Sequence, residues 1–372
     1  MRSNKKTNTR TPALAVGLIA AAALGAGAWR AVDHGAVATR ALPPVPAQTA
    51  PAATVANPPL PQQPPAGTES SAEAAASVPL EGAEPTEDVA GEARRNPISF
   101  ARQAGLHRAK DPLRLASSAA VVMDPASGNV LYAKNESAVL PIASLTKLMT
   151  ALIVTEGKLP MDEMLTITDE DVDRERNSRS RLRVGTTLTR GEALHLALMS
   201  SENRAAHALG RTFPGGLSQF VQAMNNRARL LGMRDTTFVD PTGLSNRNQS
   251  TARDVATLTS TAAKNRLLRD YSTTPQHQVV LGGRKLQYLN SNRLVRNAAW
   301  DIELQKTGYI VEAGQCVAMF TKVGGDEVVM VLLDASDKGS RSADAQRLKR
   351  WVSARDGDPQ ALAAARLPAA GS

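Results

Sequence analysis

The apolar positions change period twice along residues 119–352. Ala119-Ala120-Val121-Val122-Met123 and Val130-Leu131-Tyr132 are short apolar runs joined by the turn residues Asp124-Pro125-Ala126-Ser127-Gly128-Asn129, which predicts two strands. From Pro141 the period becomes helical. Leu145, Leu148, Met149 and Leu152 recur at i, i+3, i+4 and i+7, the pattern of a buried helix. Leu165-Thr166-Ile167 reads as a short strand. Thr189-Arg190-Gly191-Glu192 is a capping-box pattern opening a helix through Met199, and Ser201 is placed as the N-cap of a second helix with Asn203 in its first turn. Phe220 to Leu231 continues the helical pattern up to Gly232, and Ser250 opens another helix to about Ala263. Sheet character then returns. Gln278–Leu281 and Lys285–Tyr288 flank Gly282-Gly283, and Cys316–Val323 and Val328–Leu333 flank Gly324-Gly325-Asp326; both read as hairpins. Lys306 to Ile310 starts a strand between them. Arg341 to Val352 is a last helix with Ala345, Leu348, Trp351 and Val352 on one side. Strands at both ends around a helical block predict an α+β class: one antiparallel sheet flanked by helices, with an inserted helical lobe.

Only part of the 372 residues carries such patterns. Residues 1–40 read as an export segment, with Lys5, Lys6 and Arg10 ahead of an uncharged run of 18 residues from Pro12 to Trp29. That length fits a cleaved signal peptide, with Ala26-Gly27-Ala28 or Ala36-Val37-Ala38 as the cut site, and the alternative to it is an uncleaved inner-membrane anchor through residues 12–29. Residues 41–94 hold eleven of the 22 prolines, all before residue 90, and no aromatic, which predicts an extended tether. Residues 95–357 are expected to be the globular domain and residues 358–372, rich in Ala and Pro, a disordered tail. Charge follows this division. Residues 1–40 carry six Lys/Arg and one Asp, and residues 41–93 carry seven acidic groups and no basic one. Of the chain's +9, residues 94–372 therefore hold +11. A basic exported domain attracts an anionic polymer or surface. Nucleic acid is not the expected partner, because aromatics make up 3% of the chain and leave few stacking platforms.

Candidate chemistry centres on Ser144 and Lys147. Three apart on a helix, they share a face, and Ser144 falls in the first turn, where unpaired N–H groups favour negative charge. A serine needs a base to become a nucleophile, and a lysine is a base only where burial or a neighbouring cation lowers its pKa. A single S-x-x-K match is weak, since Ser3-Asn4-Lys5-Lys6 also matches in the charged N-terminal tail. The one cysteine, Cys316, sits in an apolar run and reads as a buried strand residue. The five histidines and the acids show no metal-ligand spacing, so no metal and no cofactor are expected; His195 and His207 fall inside helix patterns and read as packing or capping residues. Five arginines among serines at 173–183 are either a grip for substrate carboxylates or a solvated basic loop.

What strengthens Ser144 is the order of motifs after it: Ser144-x-x-Lys147, then Ser201-Glu202-Asn203, then Lys306-Thr307-Gly308, on a helix start, a helix cap and a strand. With this set the chain resembles the low-molecular-mass serine D-alanyl-D-alanine peptidases over roughly residues 115–355. The likeness extends to Met224-Asn225, Leu231-Gly232-Met233, Phe238–Leu244 and Ser250–Asp254, and Leu304–Tyr309 with Ala313–Cys316 narrows it to the D-alanyl-D-alanine endopeptidases. The resemblance implies a serine β-lactamase/DD-peptidase-like fold and acyl transfer. Ser144 would be the nucleophile and Lys147 its general base, kept neutral in part by repulsion from Lys306. Ser201 would relay the proton and Asn203 would orient Lys147 and the substrate amide. Lys306 and Thr307 would hold a carboxylate, Gly308 would admit the substrate backbone, and the N–H groups of Ser144 and Tyr309 would form an oxyanion hole, each donor worth about 3 kcal/mol of barrier. The implied partners are peptidoglycan stem peptides, with β-lactams as acylating inhibitors.

Three other functions are weighed against this one. A β-lactamase needs a glutamate-activated water, and no Glu-x-x-Leu-Asn pattern follows Ser201-Glu202-Asn203. A non-catalytic penicillin-binding scaffold would not need the whole motif set. A DD-carboxypeptidase usually adds a β-rich second domain, for which the 64 residues after Gly308 leave no room, and this favours the endopeptidase reading.

Overall fold

The computed structural model describes residues 98–355. The export segment, the tether and the C-terminal tail expected from the sequence lie outside them. Among the described residues no helix is long and apolar enough to cross a membrane.

The chain opens with a short helix, α1 (Phe100–Gln103), then β1 (Ala119–Met123), β2 (Val130–Lys134) and β3 (Leu140–Pro141). A 3-10 turn at Ala143–Thr146 runs into α2 (Lys147–Glu156). Next come β4 (Met164–Thr166), β5 (Thr187–Thr189), α3 (Arg190–Met199), α4 (Asn203–Arg211), α5 (Gly216–Leu230), β6 (Gln249–Ser250), α6 (Ala252–Ala263) and α7 (Arg266–Thr273). The hairpin β7 (Gln276–Leu281) and β8 (Arg284–Leu289) follows, then β9 (Asp301–Ile310), β10 (Gly314–Val323), β11 (Asp326–Ala335) and α8 (Lys338–Arg355).

Five strands from both ends of the domain form one antiparallel sheet in the order β2-β1-β11-β10-β9. Both faces are covered, which is why the strands read as continuous apolar runs rather than alternating ones. Side chains still alternate between faces. Val121, Ala318 and Val331 join one core cluster with the helical lobe, while Val122, Met319 and Met330 join a second with Ala345, Leu348 and Val352 of α8. Truncating a core leucine such as Leu348 to alanine costs about 2–5 kcal/mol in such an environment. The α+β class, the sheet built from both ends and the inserted helical lobe are as the sequence predicts.

Three local expectations are corrected. Glu202, not Ser201, caps α4 by accepting from Arg204 N, because Ser201 sits at φ 65°, outside the extended geometry an N-cap serine adopts. Thr251, not Ser250, caps α6; Ser250 pairs with Leu140 in the small β3–β6 sheet. Thr189 caps α3 by accepting from Glu192 N, but the Glu192 carboxylate turns to His277 instead of closing the capping box. The sequence pattern missed α7 and the pairing of β4 with β5.

Candidate active site

Ser144 lies in the 3-10 turn one residue after Ala143, which is held at φ 47°. Two glycines make room for this turn. Gly243 has φ 83°, and a Cβ there would stand 1.9 Å from the Ala143 carbonyl oxygen. Gly308 on β9 would place a Cβ 3.0 Å from both the Ile142 oxygen and the Ser144 nitrogen. Gly308 is therefore required by the approach of the chain's own serine turn to the strand, which adds to the substrate-side role expected of it. Asn248 ties the turn further: its amide donates to Thr146 Oγ1 at 3.2 Å, and that hydroxyl donates to Ala143 O at 2.8 Å.

Residues 147–154 of α2 are buried without a break, so the helix is enclosed on all sides and Lys147 is enclosed with it. Its Nζ lies 2.9 Å from Ser144 Oγ, 2.8 Å from Asn203 Oδ1 and 2.6 Å from the Thr242 carbonyl oxygen. Burial pushes the Lys147 amine down to about 7, against the pull of the Asp240 and Glu202 carboxylates in the other direction. Burial and not Lys306 is thus the cause. Repulsion between the two amines acts on Lys306, which burial, Lys147 and Arg341 together hold well below the usual lysine range. A neutral Lys147 has two N–H donors for Asn203 and Thr242, which leaves its lone pair for the Ser144 hydroxyl.

Sequence reasoning had no role for Thr242 or Ser178. Asp240 accepts from Thr242 N at 2.6 Å and Gly243 N at 2.8 Å, a tight turn that presents the Thr242 carbonyl to Lys147. The only signal for it was the Phe238–Leu244 stretch, noted for its resemblance. Ser178 Oγ accepts from Asn203 Nδ2 at 3.0 Å, which fixes the amide with its oxygen toward Lys147. Ser201 makes no hydrogen bond to Lys147 or Ser144 among the described residues.

Along β9, the edge strand of the five-stranded sheet, Lys306 is buried and donates to Thr307 O at 2.7 Å, while Thr307 Oγ1 donates to Ser291 Oγ at 2.7 Å. The Tyr309 side chain is 47% exposed. A cleft continues from Asn203 and Thr242 past Asp173, Arg174, Glu175 and Arg247.

The arginine-rich stretch is built into the domain rather than wholly solvated. Arg176 donates to Leu244 O and pairs with Glu312 at 3.0 Å, and Arg181 donates to Gln287 O with its guanidinium 3.9 Å above the Tyr288 ring. Arg174, Arg179 and Arg183 are exposed.

Comparison with known proteins places this arrangement. Residues 106–337 match the D-alanyl-D-alanine carboxypeptidase family. The chain belongs to that family of serine peptidases. It is 47% identical over 240 residues to a D-alanyl-D-alanine endopeptidase of Pseudomonas aeruginosa, covering 64% of this chain and 77% of that protein. It is 39% identical over 258 residues to the D-alanyl-D-alanine endopeptidase of Escherichia coli K12, covering 69% and 83%. Among solved structures, penicillin-binding protein D2 of Listeria monocytogenes in a cefotaxime-bound form is 29% identical with a TM-score of 0.56, covering 63% of this chain and 96% of that one.

Proposed function

We propose that this family member is an exported serine DD-endopeptidase that hydrolyses D-alanyl cross-links of peptidoglycan through an acyl-enzyme on Ser144, and that β-lactams acylate the same serine. The observation that carries this reading is the enclosed Lys147 amine, 2.9 Å from Ser144 Oγ and brought down to about 7 by burial. Ser144 Oγ attacks the carbonyl carbon of the D-alanine while its proton passes to the Lys147 lone pair. The tetrahedral oxyanion is met by the backbone N–H groups of Ser144 and Tyr309, fixed in position before reaction. When the C–N bond breaks, the leaving amine takes a proton from Lys147 through the Ser201 hydroxyl, and water then hydrolyses the ester. Asn203 holds Lys147 and the substrate amide, and Thr307 and Tyr309 line the strand edge where the substrate backbone lies. The buried Lys306 amine, which donates to Thr307 O, supports the strand edge where a substrate carboxylate is held. Export through residues 1–40, anchoring through residues 12–29 if that segment is retained, and reach across the wall by residues 41–94 complete the reading. The globular part is taken as residues 95–357.

The test incubates the full-length protein with monomeric and cross-linked muropeptides, with Ser144→Ala alongside. Conversion of dimers to monomers by the native protein alone is the expected result. Release of terminal D-alanine without dimer cleavage would replace this reading by a DD-carboxypeptidase, the activity for which a 30% identical relative in Bacillus subtilis is named. Acylation of Ser144 by penicillin with no turnover of either substrate would leave a binding scaffold.

A further inference from the structure

Away from the serine pocket, Glu192, His195 and His277 each bring one donor atom to within 4.8 Å of the others. Glu192 and His195 stand i, i+3 on α3 and so share a helix face. His277 arrives from β7, far along the chain, which is why spacing in the sequence did not show the group. His277 Nε2 lies 2.7 Å from Glu192 Oε1, and the two imidazole rings are 4.3 Å apart between centroids. The His195 ring also stacks on Tyr271 at 4.4 Å.

The hydrogen bonds define which nitrogen of His195 is free. Thr274 Oγ1 donates its own hydrogen to Asp270 O at 2.8 Å, so it accepts from His195 Nε2–H at 2.9 Å. His195 Nδ1 therefore keeps its lone pair. A metal-binding imidazole is commonly fixed in this way, by an outer hydrogen bond from its second nitrogen.

We propose that Glu192, His195 and His277 form a zinc site that fastens the β7–β8 hairpin to helix α3. Two imidazoles and one carboxylate are the protein ligands of several zinc centres, with a water in the fourth position, and the two nitrogen donors disfavour calcium and magnesium. Tetrahedral zinc would set the ligand atoms about 3.3 Å apart. The His277–Glu192 pair opens slightly to reach this, and the other separations, none above 4.8 Å, close by at most about 1.5 Å, within the range of side-chain rotation. The ion takes the place of the proton between His277 Nε2 and Glu192 Oε1, and the imidazole carries its one N–H on Nδ1 instead, so the ring stays neutral. The hairpin carries the Arg181 contacts at Gln287 and Tyr288, and the chain just after it supplies Ser291 to Thr307. A fastened hairpin thus steadies one side of the strand that bears Lys306-Thr307-Gly308.

The experiment strips the full-length protein with a chelator and titrates it with ZnCl2 alone by calorimetry, with thermal melting alongside. Expected are one saturable ion per chain and a rise in Tm that Mg2+ does not reproduce. His195→Ala, His277→Gln and Glu192→Gln should each weaken binding at least about tenfold and abolish the rise in Tm. Labelling of Ser144 by a fluorescent penicillin verifies that each variant is folded. Co2+ bound to the native protein should show visible d–d bands of a nitrogen-ligated site, a readout that needs no variant. Absence of saturable zinc binding, or binding unchanged in all three folded variants, would overturn the proposal and leave the trio as a hydrogen-bonded ring stack.

Discussion

Of the three lysines enclosed in the described domain, Lys134 and Lys147 have surroundings that differ in kind. Lys134, at the end of β2, lies 3.0 Å from the Asp111 carboxylate and donates to Leu115 O at 2.8 Å. Asp111 also accepts from the Tyr132 hydroxyl at 3.0 Å and from the backbone N–H of Leu113 and Leu115. Lys147 is enclosed as completely, but its hydrogen-bond partners are a hydroxyl, an amide oxygen and a carbonyl. A buried cation beside a counter-ion keeps its charge and ties chain segments together. A buried amine among neutral acceptors loses its proton near neutrality and becomes a base. The same residue type therefore holds the fold together in one place and prepares chemistry in the other, and the difference lies in whether a carboxylate is in contact.

The sharpest way to break this contrast is to remove Lys147. Lys147→Ala should slow acylation of Ser144 by penicillin roughly 10²–10⁴-fold, the worth of a positioned general base. Stopped-flow labelling reads this, and a variant acylated at the native rate would remove Lys147 from the mechanism. The matching change at the other lysine is Asp111→Ala, which leaves Lys134 buried without its counter-ion. It should cost about 3–5 kcal/mol in denaturant unfolding while the acylation rate of the folded fraction stays close to native.

Titration sharpens the comparison next. The neutral Lys147 amine is the base, so the acylation rate should fall about tenfold per pH unit as pH drops below about 7. Stability carries the same signature. The folded value is depressed from 10.5 to about 7, so between those values the unfolded chain binds the extra proton. Stability should rise with pH across that window and be lost as pH falls through it. Lys147→Met should flatten this slope. The smallest effect is expected at Ser178, which holds the Asn203 amide. Ser178→Ala should reduce acylation only a few-fold by letting that amide turn, equivalent to about one lost hydrogen bond.

Much of the fold was legible from the chain. The two hairpins around Gly282-Gly283 and Gly324-Gly325 and the strand pair at residues 119–132 depend on local turn chemistry, which a sequence displays directly. The order of Ser144-x-x-Lys147, Ser201-x-Asn203 and Lys306-Thr307-Gly308 was likewise visible, as was the apolar run that encloses Lys147. Caps were less legible. Ser201 and Ser250 both look like N-caps, but neighbouring residues took that role because the backbone at Ser201 is left-handed and Ser250 is held by Leu140.

By itself the sequence determined where most of the helices and the two glycine-turn hairpins lie, which side chains can react and that the domain is basic, because these depend on residue type and short spacing. Only the tertiary structure decided that the Thr242 carbonyl and Ser178 complete the lysine pocket, that Gly308 must be bare for the serine turn to approach β9, that Arg176 and Arg181 bind back onto the domain, and that His277 meets Glu192 and His195. Each of these joins residues from separate elements. No local rule relates them, and their distances follow from how the helical lobe and the sheet pack around a shared core.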